Sequence, residues 1–149
     1  MFKHILLPTD GSKLSEQAVF YGVELARLYG ARVTGIHAMP VFHVLTYRAS
    51  ALEESRDQFG QDTRQHAERC LDFVRRTANE AKVACETLAG QSDHPHDVIC
   101  KAARRLQFNL VVMASHGKRG FVGLLLGSET QRVLAHSDVP VLVWRGDAD

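Results

Sequence analysis

The chain has 149 residues, 45% of them hydrophobic and 23% charged, with a formal net charge of +1. That is the length of one ordinary domain, expected to span 1–149, and the composition of a soluble globular protein. So even a charge balance gives no support for general nucleic-acid or anionic-membrane binding.

The N-terminus, "MFKHILLPTDGS", carries only a short apolar run, neither a signal peptide nor a spanning segment. Its run "HILLPTD" is compact, apolar and closed by Pro8, and reads as strand one. Ser12 can cap the helix that follows. Leu14, Ala18, Tyr21, Leu25 and Leu28 recur at helical spacing and predict its inner face, and Gly30 is its stop. "ARVTGIHAM" is strand two. After a loop over 40–49, Ser50 with Glu53 makes a capping-box pattern for a long helix ending near Glu80. Its expected inner stripe is Leu52, Phe59, Ala67, Leu71, Val74 and Ala78. "KVACETLAG" is strand three. A third helix begins near His94-Pro95, where proline suits a first turn, and is expected to bury Val98, Ile99, Ala102 and Leu106. "FNLVVMA" is strand four. Ser128 and Gln131 predict a second capping box for a helix ending near His136, and "VPVLVW" is strand five.

Strands that alternate with helices and are apolar almost throughout imply an α/β fold, a doubly wound, Rossmann-like parallel sheet covered on both faces. Such sheets bind ligands beyond the carboxyl ends of their strands, where strand order reverses. Two of the loops at those ends carry suitable chemistry.

One is "ASHGKRGFVGLLLGSET", between strand four and its helix, with Gly117, Gly120, Gly123 and Gly127. Glycines leave backbone N–H groups uncovered, and a helix start adds unpaired N–H groups and a positive dipole end, so anionic oxygens can approach. Ser128 and Thr130 offer hydroxyls, and Lys118 or Arg119 offers a cation for phosphate. The other is Pro8-Thr9-Asp10-Gly11, where Thr9 offers a hydroxyl. There the Asp10 carboxylate can serve a ribose hydroxyl, a bound Mg²⁺ or a backbone amide. The plain alternative is that the glycines make turns and Ser128 only caps a helix. No G-x-x-x-x-G-K-[ST] loop occurs, and no G-x-G-x-x-G follows strand one, which disfavours a dinucleotide dehydrogenase.

"ILLPTDGS", "ARVTGIHAM" and "NLVVMASHGKRGFVGLLLGSETQRVLAHSDVPVLVW" resemble the universal stress protein family over essentially the whole chain. Nucleotide-binding members carry G-x2-G-x9-G-[ST]. Here Gly117, nine further residues and Gly127-Ser128 match, and Ala114 stands at the first glycine. The resemblance implies a five-stranded sheet in the order 3-2-1-4-5 and ATP, with Mg²⁺, as ligand. Pro8, Thr9, Asp10 and Ala38 would then line the nucleoside side, with Met113, Ala114, His116 and Gly117 continuing the wall. Gly127, Ser128, Glu129 and Thr130 would meet phosphates or ribose, Glu129 through its backbone N–H. It also implies a homodimer paired through strand five, Val139, Val141, Leu142 and Val143. An apolar edge strand at a chain end allows this independently. Trp144 would bury either against that partner or on its own domain.

Other chemistries are less supported. Cys70, Cys85 and Cys100 are scattered and read as free thiols of a cytoplasmic protein, filling core or half-buried positions. No metal site is expected, since His94 and His96 flank a proline with no evident third ligand. His4 and His37 read as satisfied strand residues, and His116 as a phosphate contact or a brace within the loop. No G-x-S-x-G elbow occurs, and Ser115 next to His116 in sequence is no base–nucleophile geometry. No catalytic residue is assigned. The functional expectation is an ATP-binding regulatory or sensor dimer. The alternatives are an interaction module that has lost the nucleotide, and a weak ATPase or nucleotide-dependent transferase.

Overall fold

A computed structural model of the chain describes residues 1–43, 49–116 and 126–146, the side chains of 49–52 and 54 excepted. In chain order the elements are β1 (His4–Pro8), α1 (Lys13–Tyr29), β2 (Arg32–Met39), α2 (Ala49–Glu80), β3 (Cys85–Gln91), α3 (Pro95–Arg105), β4 (Leu110–Ala114), α4 (Ser128–His136) and β5 (Val141–Trp144). The strands form one sheet in the order β3-β2-β1-β4-β5, every pair parallel. This is the Rossmann-like arrangement that the alternation of strands and helices implies.

The period-2 pleat of β1 divides the core. Ile5 and Leu7 point to the face covered by α1 and α2, among Val19, Val23, Val74 and Ala78. Leu6 points to the opposite face, among Ile99 and Ala103 of α3 and Val133 of α4. β1 and β4 are buried along their whole length, so both faces read as apolar. The chain leaves β1 towards β2 on one side and, later, β4 towards β5 on the other. The carboxyl ends of β1 and β4 therefore face a crevice.

Several local expectations shift by a residue. On α1, Ser12 is the N-cap and Gly30 the left-handed C-cap, as the sequence suggests. The buried face, however, is Ser15, Ala18, Val19, Gly22, Val23 and Ala26, while Leu28 and Tyr21 are exposed. Ala18 is buried and Leu25 packs on the core as expected, but the centre of the face shifts, because the close approach of α1 to β1 and β4 admits small residues at Gly22 and Ala26. On α2, Ala67, Leu71, Val74 and Ala78 are buried as expected and Phe59 is half-buried. Leu52 lies outside the described side chains, and Ser50 sits inside the helix rather than capping it. On α3, Leu106 is the C-cap and exposed, and Cys100 and Ala103 take the buried places beside Ile99. On α4 the N-cap is Gly127, not Ser128, and it supplies no side-chain hydrogen bond. Gln131 instead donates its side-chain amide to the Leu126 carbonyl, at 2.8 Å.

Of the three thiols, Cys70 and Cys100 are buried and Cys85 half-buried, all free. Burial pushes each of them up from the ordinary thiol value, which leaves them neutral. Trp144 packs on its own chain: its ring stacks on Tyr21 with centroids 3.9 Å apart, and its indole N–H donates to Gln17 Oε1 at 3.3 Å. Among the described residues no helix is long and apolar enough to cross a membrane.

Gly35 on β2 marks a close approach of α2 to the sheet. A Cβ there would lie 2.9 Å from Val74 Cγ1 and 3.0 Å from Val74 Cβ. Val74 is fully buried and has nowhere to move. Gly35→Ala, which strand propensity alone would favour, is expected to destabilise the protein by about 1–3 kcal/mol. A lowered urea midpoint with an unchanged m-value checks this, and an unchanged midpoint contradicts it.

Candidate functional site

Thr9, the residue after β1, organises the floor of the crevice. Its N–H continues the ladder to the Ile36 carbonyl at 2.9 Å. Its own carbonyl accepts from His37 Nδ1 at 2.8 Å, which makes Nδ1 the protonated nitrogen of that ring. Ser15 Oγ donates to the Ser12 carbonyl at 2.9 Å, so in the 3.1 Å contact between the Thr9 and Ser15 hydroxyls Thr9 is the donor. The Gly11 N–H in turn donates to Thr9 Oγ1 at 3.2 Å. The turn out of β1 is thus bonded to β2 and to the first turn of α1.

Asp10 follows at the rim. Its Oδ1 accepts from the Ser12 N–H at 2.9 Å, and its Oδ2 lies 3.2 Å from His116 Nε2. Burial pushes its carboxyl up, but the hydrogen bonds from Ser12 and the charge of His116 outweigh it and hold the group below the usual aspartate range. His116 also meets Ser12 Oγ at 3.2 Å, so it braces the start of α1 against the end of β4. Of the roles open to Asp10, the backbone-amide one is occupied by Ser12.

The opposite wall is the start of α4. Ser115 is buried, and its hydroxyl accepts from the Gly127 N–H at 2.9 Å, which ties the two ends of the glycine-rich segment together. Ser115 and His116 therefore face different partners and form no nucleophile–base pair. Thr130 is buried and donates its hydroxyl to the Ala114 carbonyl at 3.3 Å, so it holds α4 on β4. The Glu129 carboxylate turns towards α3: Oε2 accepts from the His96 N–H at 3.0 Å and lies 3.1 Å from His96 Nδ1, and Oε1 accepts from Arg132 at 2.7 Å. It supplies the anionic cap that α3 lacks, since His94 makes no side-chain cap bond. Burial raises the Glu129 carboxyl, and the His96 and Arg132 hydrogen bonds outweigh it and set it below the usual glutamate range. The Ser128 hydroxyl has no hydrogen bond to any described residue. The first turn of α4 therefore opens on the crevice with no side-chain cap from a described residue.

Between these walls lies a hollow of about 340 Å³, within the range of small-molecule sites. Eleven of the twelve residues singled out in the sequence line it: Pro8, Thr9, Asp10, Ala38, Met113, Ala114, His116 and the run Gly127 to Thr130. The twelfth, Gly117, lies outside the described residues, as do Lys118, Arg119, Gly120 and Gly123. Sequence reasoning missed Ser15, Ile36, His37, Pro95 and Ile99, which also line it. Ile36 and His37 lay within the predicted strand two, but α3 brings Pro95 and Ile99 from another layer. Ala38, Ile36, Met113 and Ile99 are the apolar part of its lining, and Asp10, Ser128 and the start of α4 belong to the polar part. Ala114 is not among the residues of positive φ, so its methyl group costs no backbone strain.

The family model for the universal stress protein family matches residues 1–145. A universal stress protein of Methanocaldococcus jannaschii is 30% identical over 145 residues, covering 96% of this chain and 82% of its own. The solved structure of protein MJ0577 from the same organism superposes with a TM-score of 0.79 at 25% identity, covering 100% of this chain and 99% of that one. A universal stress protein family member from Arabidopsis thaliana, solved with AMP bound, superposes with a TM-score of 0.70 at 18% identity over 99% of this chain and 94% of its own. The chain belongs to the universal stress protein family.

The Glu129 cap has a consequence for acid stability. Its folded value lies below the unfolded one of about 4.3. The stabilisation is therefore complete above that pH and is lost as pH falls through the folded value. Glu129→Gln keeps the shape and removes the charge. At neutral pH it is expected to lower stability by about 1–2 kcal/mol, and the gap to the natural protein should close on acidification. Thermal unfolding of both proteins across that range measures this; a gap that is constant with pH contradicts it.

Proposed function

We propose that this universal stress protein binds ATP and acts as a small cytoplasmic regulatory protein whose state is set by nucleotide. The observation that carries this reading is the first turn of α4, with no side-chain cap from a described residue and no described partner for the Ser128 hydroxyl, opening on a hollow of nucleotide size at the strand-order reversal. Adenine suits the apolar part of the lining, Ala38 and Met113 among it, with the ribose towards Thr9 and Asp10. The α4 amides after Gly127 and the Ser128 hydroxyl suit phosphate oxygens. The Gly127 N–H, held by Ser115, is not among these donors. Three solved relatives support the ligand class: AMP is bound to the Arabidopsis thaliana protein, dAMP to one from Archaeoglobus fulgidus and cAMP to a third. Mg²⁺ would enter with the phosphates, and Asp10, whose carboxylate keeps lone pairs beyond those used by Ser12 and His116, is the group on this rim suited to its water shell.

Isothermal titration tests the binding. Mg-ATP is expected to give a saturable heat with one site per chain, and Ala38→Phe, which crowds the apolar part of the lining, is expected to abolish it while leaving the unfolding temperature in place. At a hundredfold excess over the dissociation constant ATP should stabilise the natural protein by about 2.7 kcal/mol. No heat at millimolar nucleotide contradicts the reading.

A homodimer belongs to the same proposal. β5 is the last strand of the sheet and bonds to β4 along one edge only, and its Leu142 side chain is 41% exposed on a face of the sheet. Pairing of Val139, Val141, Leu142 and Val143 with a second copy would cover this edge. Leu142→Asp is then expected to convert a dimer into a monomer in sedimentation, and a natural protein that sediments as a monomer contradicts it.

A further inference from the structure

Behind the β1 turn lies a cluster the nucleotide reading does not use. His66 and Cys70 stand four residues apart on α2 and so share one face of the helix. They face His37 of β2, and one ligand-capable atom from each of the three lies within 4.8 Å of the others. Cys70 Sγ is 3.5 Å from His66 Nε2. The His37 and His66 rings meet edge-on, with centroids 5.2 Å apart. We propose that His37, His66 and Cys70 form a binding site for a borderline-soft divalent cation of the Zn²⁺ class.

Three features carry this. The donor set is two imidazoles and a sulfur, which selects zinc-like ions over Mg²⁺ or Ca²⁺. The spacing is close to what is needed: bonds of about 2.0–2.3 Å in a tetrahedron put ligand atoms about 3.3–3.7 Å apart, which the sulfur–nitrogen pair already meets. The orientation of His37 is fixed in the manner of a ligand, since Nδ1–H is committed to the Thr9 carbonyl and Nε2 keeps its lone pair. Gly11 closes the cluster from the loop side. A Cβ there would lie 2.7 Å from Cys70 Sγ and 3.4 Å from His66 Cε1, and Gly11 has φ +80°, so a larger residue would be strained and would crowd the sulfur.

On binding, the Cys70 S–H bond breaks, its proton leaves to solvent and a sulfur–metal bond forms, the dication supplying the charge that stabilises the thiolate. Three protein ligands leave a fourth position for water or an incoming group. His37 also lines the nucleotide-sized hollow, so the two sites would share a wall. The inference does not depend on nucleotide binding.

The test uses the untagged full chain, Zn²⁺ in competition with a chromogenic chelator, and Co²⁺ as a spectroscopic substitute. The expected result is one equivalent bound, with a near-ultraviolet thiolate-to-cobalt charge-transfer band. Cys70→Ala should remove the band, and His66→Ala, at an exposed position that leaves folding intact, should weaken Zn²⁺ binding by about tenfold or more. His94→Ala should leave both unchanged. The proposal is overturned if the natural protein does not compete for micromolar Zn²⁺, if the band survives Cys70→Ala, if His66→Ala binds as tightly, or if His94→Ala abolishes binding.

Discussion

The Thr9 main chain and hydroxyl hold the functional end of the sheet together. One buried residue donates to Ile36, accepts from His37 and relays a hydrogen bond through Ser15 to Ser12. Each of these groups would otherwise be an unpaired polar atom in a buried place, which costs about 1–3 kcal/mol. Their joint satisfaction fixes the turn out of β1 relative to both β2 and α1. Asp10, Gly11 and His37 are placed as a result, and with them one wall of the hollow and the cover of the His37–His66–Cys70 cluster.

Two of the helix starts that border the crevice, those of α1 and α4, are finished differently. α1 is capped in the ordinary way, by Ser12 accepting from the Ser15 N–H. α4 begins after a glycine with no side-chain cap from a described residue, and the carboxylate of its first turn, Glu129, is turned away to serve α3. Four amides at a helix start need partners. One closed and one open start across a crevice is the asymmetry on which the proposed anionic ligand rests. Ser115 adds to it by taking the Gly127 N–H, which fixes where the glycine-rich segment returns to the fold without using the amides beyond it.

The architecture was legible because it follows from alternation: apolar strands too continuous for one-sided burial, separated by helical periods and stopped at Gly30. Nearly all of the candidate site was legible as well, since it sits in loops whose residue types are unusual for turns. What escaped did so for tertiary reasons. On α1 the large residues Leu14, Tyr21 and Leu28 carry the helical period, whereas contact with the sheet selects Gly22 and Ala26, beside the expected Ala18, for their size. Ser128 reads as a cap because capping residues outrank glycine in frequency, yet Gly127 holds that position. The Glu129–His96 link joins residues 33 apart in sequence, and Pro95 and Ile99 reach the hollow from a different layer. His66 and Cys70 carry a visible i, i+4 spacing, but their third partner lies on β2 and only the packing of α2 across it completes the group.

The central claim is that polyanionic ligand meets the open first turn of α4. The most direct measurement is an amide ¹H–¹⁵N correlation spectrum of the labelled protein with and without Mg-ATP. The account predicts that the Ser128, Glu129 and Thr130 amides move most, with Thr9 and Asp10 next and the far ends of the strands still. Saturable shifts that leave those three amides in place and gather on another surface would contradict it.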